Sequence, residues 1–211
     1  MEGMIKQSKE EKRPISAREI QLNLPRICKK YYAVVKEEGP EGTQFKLLNH
    51  HSPDVLYLNN GRGQFRAVTD ADARFFDEYG KPMPMPRDPS HEPAFRDVDG
   101  DGDPDLYVCS DFEFPDRFWI NNGEGKFHLA NKLAVRRTSQ FTMGVDFTDL
   151  NRDGYLDFLT VDMLSREHKR RKTQMGMMSP TPAVVGQVRN RPQIMQNTLF
   201  LNRGDNTWAE I

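Results

Sequence analysis

The chain has 211 residues, 36% apolar and 29% charged, and a formal net charge of −1. It is long enough to bury a core, and its balanced charge gives no global pull toward nucleic acid or an anionic membrane. No apolar run reaches transmembrane length, and the 15 Gly and 14 Pro suit a loop-rich β protein with short, half-exposed strands.

Residues 1–40 read as a polar lead-in. The opening MEGMIKQSKEEKRP has no apolar segment that could serve as a secretory signal, so taken literally it leaves the polypeptide in the cytoplasm. Ser16 and Glu19 have capping-box spacing for a short helix that Pro25 would end. Residues 31–36 (YYAVVK) form a predicted strand. Cys28 and Cys109 lack metal-type spacing and read as two unrelated thiols. His50 and His51 have no third ligand nearby and read as loop residues.

From residue 56 onward, within a predicted domain spanning 41–211, the chain repeats itself. Residues 56–65 read LYLNNGRGQF, 118–127 read FWINNGEGKF, and 199–208 read LFLNRGDNTW. Each copy is an apolar strand, an Asn-Gly or Arg-Gly turn that tolerates positive φ, and a closing aromatic: Phe65, Phe127 or Trp208. This pattern predicts a repeated β-hairpin whose aromatic packs back on it.

Between the hairpins lies a second repeat. Residues 95–108 (FRDVDGDGDPDLYV) align without a gap on 147–160 (FTDLNRDGYLDFLT). Each predicts a loop running straight into a strand, at 106–109 and 158–161. Loop, strand and hairpin together make a small antiparallel sheet, the unit of a propeller blade. The predicted fold is all-β, a partial β-propeller of about three blades. Residues 164–197 read as an insertion, opening with the basic, helical SREHKRRKTQM and passing through Pro180, Pro182 and Pro192. Met175, Met177 and Met178 read as apolar packing or as unstructured within it.

The chemistry lies in the loops. Asp97, Asp99, Asp101 and Asp105 occupy positions one, three, five and nine of D-x-D-x-D-G-x-x-D, and Asp149, Asn151, Asp153 and Asp157 fill the same places in the second copy. Alternate residues in a tight loop can turn oxygens to one centre. The glycines at position six (Gly102, Gly154) permit a bend that aims the position-seven carbonyls of Asp103 and Tyr155 inward. About five protein oxygens per loop suit Ca²⁺, whereas Mg²⁺ prefers strict octahedral geometry and keeps its waters. Two carboxylates about 4 Å apart repel by on the order of 1–4 kcal/mol. The first loop holds five aspartates in nine residues, so an empty loop is strained and a bound cation relieves it. Two structural Ca²⁺ sites are predicted, with the first tighter because Asn151 replaces a charged ligand in the second. An EF-hand or dockerin loop is excluded, because position twelve is Val108 or Thr160, in a strand rather than an acid beside a helix.

These residues resemble the FG-GAP (VCBS) repeats of integrin α-chain propellers. More closely, they are similar to the FG-GAP proteins that also carry an ASPIC/UnbV domain, the cartilage acidic protein family. The resembling stretches are SPDVLYLNNGRGQF, FRDVDGDGDPDLYVCSDF, PDRFWINNGEGKF, MGVDFTDLNRDGYLDFLTVDM and NTLFLNRGDNTW. The resemblance implies the calcium ligands already named, an extracytoplasmic or cell-surface setting, and a closed propeller of about seven blades. With no recognisable export signal or ASPIC/UnbV segment and a last residue just after a hairpin, the sequence is expected to be a piece of a longer exported protein or a truncated reading frame. The implied role is a scaffold for protein or glycan contact, with no enzymatic activity.

An alternative reading is a propeller portion of a polysaccharide-active enzyme. Its candidate acids, outside the loops, are Asp111, Asp146 and Asp162, and none has a partnered base or nucleophile motif. Nucleic-acid binding through Arg166, His168, Lys169, Arg170, Arg171 and Lys172 is disfavoured, because the cluster lacks interleaved aromatics in a neutral chain, and it reads instead as a solvated helix face.

Overall fold

The computed structural model describes residues 32–39, 42–49, 54–111, 114–173 and 192–211. The chain divides into two units, 1–52 and 53–211. The helix predicted after Ser16, Cys28, the histidines 50 and 51, the three methionines of the insertion and most of that insertion lie outside the described residues.

In the first unit, β1 (Tyr32–Gly39) pairs antiparallel with β2 (Gly42–Asn49), from Tyr32 opposite Asn49 to Gly39 opposite Gly42. The predicted strand is therefore present and continues to Gly39.

The second unit is mostly β. Strands β3 (Tyr57–Asn59) and β4 (Phe65–Ala67) form an isolated hairpin. Strands β6 (Ser90–Arg96), β7 (Asp105–Ser110), β8 (Arg117–Asn121) and β9 (Phe127–Leu129) form an antiparallel meander. The short β5 (Phe75–Phe76) extends this sheet by pairing parallel with β9. The second meander is β11 (Thr142–Thr148), β12 (Asp157–Asp162), β14 (Thr198–Asn202) and β15 (Trp208–Glu210). A two-residue parallel pair joins β10 (Thr138–Ser139) to β13 (Gln193–Ile194). The one α-helix among the described residues is α1 (His168–Thr173), within the predicted insertion.

The expected three blades thus resolve into two complete four-stranded meanders and a lone hairpin, with no closed barrel among the described residues. The lone hairpin also departs from the expected packing. Phe127 and Trp208 are buried as closing aromatics, whereas Phe65 is 65% exposed, because β3–β4 is a sheet of its own with no neighbouring strand to cover that ring.

Side-chain alternation explains how the two meanders stack. Strand β7 is buried throughout, since both of its faces are covered. One face, with Tyr107, Cys109 and Phe118, packs against Phe147, Phe158, Phe200 and Trp208 of the second sheet. The other, with Leu106, Val108 and Trp119, packs with Phe75 and Phe127, and Leu56, Met83 and Met85 lie against it. The intersheet layer is aromatic: ring centroids are 5.1 Å apart for Tyr107–Phe158 and 4.9 Å for Phe118–Trp208, and Phe158 stacks on Phe200 at 4.3 Å. Such ring pairs contribute about 0.5–1.5 kcal/mol each beyond area burial.

Candidate metal centre

The aligned loops occupy equivalent places, one between β6 and β7 and the other between β11 and β12, and most of their hydrogen bonds correspond, the exception being the N–H held by Oδ1 at position one, from position four in the first loop and position five in the second. At position one, Asp97 Oδ1 accepts from the Gly100 N–H (2.8 Å) and Oδ2 from the Gly102 N–H (3.0 Å). Asp149 Oδ1 accepts from the Asp153 N–H (3.1 Å) and Oδ2 from the Gly154 N–H (3.0 Å). At position three, Asp99 Oδ1 takes the Asp101 N–H (3.3 Å) and Asn151 Oδ1 the Asp153 N–H (3.1 Å). At position five, Asp101 Oδ1 takes the Asp103 N–H and Asp153 Oδ1 the Tyr155 N–H, both at 2.9 Å. The bend needs glycine at position six, where φ is 94° in Gly102 and 92° in Gly154.

Position nine does something the spacing did not reveal. Asp105 Oδ2 accepts from the Val98 N–H (2.9 Å) inside its own loop, while Oδ1 accepts from the Asn121 N–H (2.8 Å) at the end of β8. Asp157 repeats this with Leu150 (3.0 Å) and Asn202 (2.8 Å). Each carboxylate thus staples its loop to the hairpin that follows. The asparagine completes the link. Asn121 Nδ2 donates to the Pro104 carbonyl (3.1 Å), and its Oδ1 accepts the Gly123 N–H (3.2 Å). Asn202 Nδ2 donates to the carbonyls of Leu156 (3.2 Å) and Val98 (3.3 Å), so it touches both acidic loops. The sequence marks Asn121 and Asn202 as turn residues, and nothing in their local spacing shows the contact across repeats.

The position-seven side chains lean on the hairpin glycines. A Cβ at Gly123 would lie 2.8 Å from Asp103 Oδ2, and one at Gly204 would lie 2.8 Å from the Tyr155 ring.

In the first loop, Asp97, Asp99 and Asp105 each offer an oxygen within 4.8 Å of the others. Calcium–oxygen distances of about 2.3–2.6 Å put opposite ligands at most about 5 Å apart, so these three fit one coordination shell. Asp101 stands beside this triad without being part of it. Burial is the main reason Asp105, only 1% exposed, has its pKa pushed up to about 6, with Asp99 and Asp101 adding to the effect. Burial, followed by the neighbouring Asp101 and Asp97 charges, also raises Asp99. Both shifts reflect the cost of ionising carboxylates that are removed from water beside one another, a cost that a divalent cation would offset.

The second loop shows no equivalent acidic triad among the described residues. Asn151 stands where the first loop has Asp99, and its Nδ2 donates to Asp153 Oδ2 at 2.8 Å, satisfying that carboxylate internally.

The acids outside the loops have other surroundings. Asp111 Oδ2 lies 3.1 Å from His91 Nε2. Asp162 Oδ2 accepts from the N–H groups of Gln140 (3.0 Å) and Phe141 (3.3 Å), and burial raises its pKa. Asp146 Oδ1 accepts the adjacent Phe147 N–H (2.9 Å). Asp116, which no sequence pattern singles out, is buried between the sheets and accepts from the Tyr107 and Thr142 hydroxyls and the Ser110 N–H, each at 2.8 Å.

No curated protein and no solved structure gives a significant match to this chain. Residues 97–160 match the family model described as FG-GAP-like repeat, a span from the first aspartate of the first loop into β12. An FG-GAP-like repeat is therefore present over the part of the chain that contains both acidic loops.

Proposed function

We propose that this protein is a calcium-stabilised FG-GAP module, a non-enzymatic scaffold for protein or glycan contact within a longer exported protein of the ASPIC/UnbV-containing kind. The observation that carries the reading is the convergence of Asp97, Asp99 and Asp105 within 4.8 Å, in a loop whose hydrogen bonds recur in the second copy. A bound Ca²⁺ supplies positive charge that offsets the mutual repulsion of these carboxylates. Asp97 and Asp99 hold the bend of the loop, and Asp105 ties that bend to β8. Ordering the loop therefore orders the hairpin, and Asn202 passes the constraint to the second repeat. In the second loop, Asp149, Asn151, Asp153, Asp157 and the Tyr155 carbonyl would form the weaker site.

The stacking of the sheets supports membership in a longer array, the partial propeller of the sequence reading. Aligning the repeats sets Tyr107 against Leu159 and Cys109 against Val161. The first pair member is buried between the sheets in each case, whereas Leu159 is 42% and Val161 40% exposed. The face buried in the first repeat is thus open in the second, the arrangement expected when a further sheet continues the stack.

The experiment is a thermal melt with and without millimolar Ca²⁺. The expected result is a raised Tm with calcium, weakened by Asp101→Ala or Asp153→Ala. A melt insensitive to calcium would overturn the reading.

A further inference from the structure

We infer that the segment from Arg166 to Lys172 is a docking surface for a linear sulfated glycan. Strand β12 starts at the acidic loop and ends at Asp162, so this segment lies beyond the strand end opposite the acidic loops. Residues 166–173 are all exposed, and α1 buries none of its residues. Arg166, Lys169, Arg170, Arg171 and Lys172 bring five positive charges against the single acid Glu167. None of these cations forms an ion pair among the described residues. Arg171 Nε turns back to the Ser165 carbonyl (2.8 Å), although Glu167 stands at the favourable i−4 position.

Such a helix is poorly supported by the protein itself. Isolated helices shorter than about 12–15 residues are marginal in water, and like charges three or four residues apart, as at Lys169 and Lys172, oppose helix formation. With no buried face to compensate, the arrangement favours an external polyanion that neutralises the repulsion. The residue types narrow the partner. No Phe, Tyr or Trp lies between Ser165 and Thr173, leaving the His168 imidazole as the one ring that could stack on a base, and no large apolar side chain is there to enter a membrane interface. A chain of sulfate and carboxylate groups, recognised by charge, matches what remains. This inference stands independently of the calcium reading.

The test uses the full chain in EDTA, so that calcium cannot bridge the polyanion to the acidic loops, with heparin as the probe. Binding should weaken by roughly tenfold to a hundredfold between about 50 and 200 mM salt, as for two to four released counterions. Lys169→Gln/Arg170→Gln/Lys172→Gln should lose at least about tenfold in affinity with a flatter salt dependence. Lys169→Arg/Arg170→Lys/Lys172→Arg, which keeps the charge, should bind like the parent, as should Arg62→Gln at the tip of the β3–β4 hairpin. Undiminished binding by the neutralised variant, loss in the charge-preserving one, or no salt-sensitive binding by the parent would overturn the inference. Tighter binding to duplex DNA than to heparin would do the same, moving the surface to nucleic acid.

Discussion

Replacing Asp105 by asparagine separates two opposing effects that meet on one carboxylate. The carboxylate accepts N–H groups from Val98 and Asn121 at 2.9 and 2.8 Å. An amide keeps one acceptor and sets an NH₂ against the other buried N–H, at a cost of about 1–3 kcal/mol. The same substitution removes a buried charge. The folded-state pKa of Asp105 is raised to about 6 from an ordinary 3.8. A raised carboxyl contributes stability that is fully present below the unfolded pKa and is lost as pH rises through the folded one. Above pH 6 without metal, ionisation therefore costs on the order of 3 kcal/mol in the parent, and asparagine avoids it. In EDTA the variant should be about 1–3 kcal/mol less stable than the parent at pH 4, and at pH 7.5, where ionisation burdens only the parent, between equally stable and about 2 kcal/mol more stable. Urea unfolding at the two pH values measures the difference. A stability gap that does not change with pH would refute the reasoning.

Phe158→Ala should cost about 3–5 kcal/mol in urea unfolding, because the ring is fully buried among Tyr107, Phe118, Phe147, Phe200 and Trp208. Asn202→Ala should destabilise by about 1–3 kcal/mol and lower calcium affinity at the first loop as measured by calorimetry, since Asn202 donates to the Val98 carbonyl within it. Cys109 should resist alkylation in the native state and react at the unfolding rate, because it is buried and burial, with Asp116 and Glu92 nearby, pushes its thiol pKa up.

The sequence carries the local parts of this structure well. The Asn-Gly turns and their flanking strands are legible because positive-φ chemistry and period-two alternation are short-range properties. The acidic loops are legible for the same reason, down to the glycine at position six. What it does not show is long-range. The parallel addition of β5 to β9 depends on two residues meeting a strand some fifty positions away. The stapling by Asp105 and Asp157 is hidden because an aspartate at position nine of the loop pattern reads as a ligand, and its N–H partners at Asn121 and Asn202 lie far along the chain. The exposure of Phe65 depends on which strands lie beside its hairpin, which the ten-residue repeat cannot encode. The difference between the two loops is half legible. The sequence shows that Asn151 replaces a carboxylate, while the turn of its amide toward Asp153 emerges only in three dimensions.

Isothermal calorimetry of the full chain with Ca²⁺, beside an Asp99→Ala variant, tests the central claim most directly. Calcium uptake at the first loop should be measurable in the parent and at least about tenfold weaker in the variant, since Asp99 supplies one of three converging carboxylates. Absence of uptake at millimolar calcium, or equal uptake by parent and variant, would contradict the account.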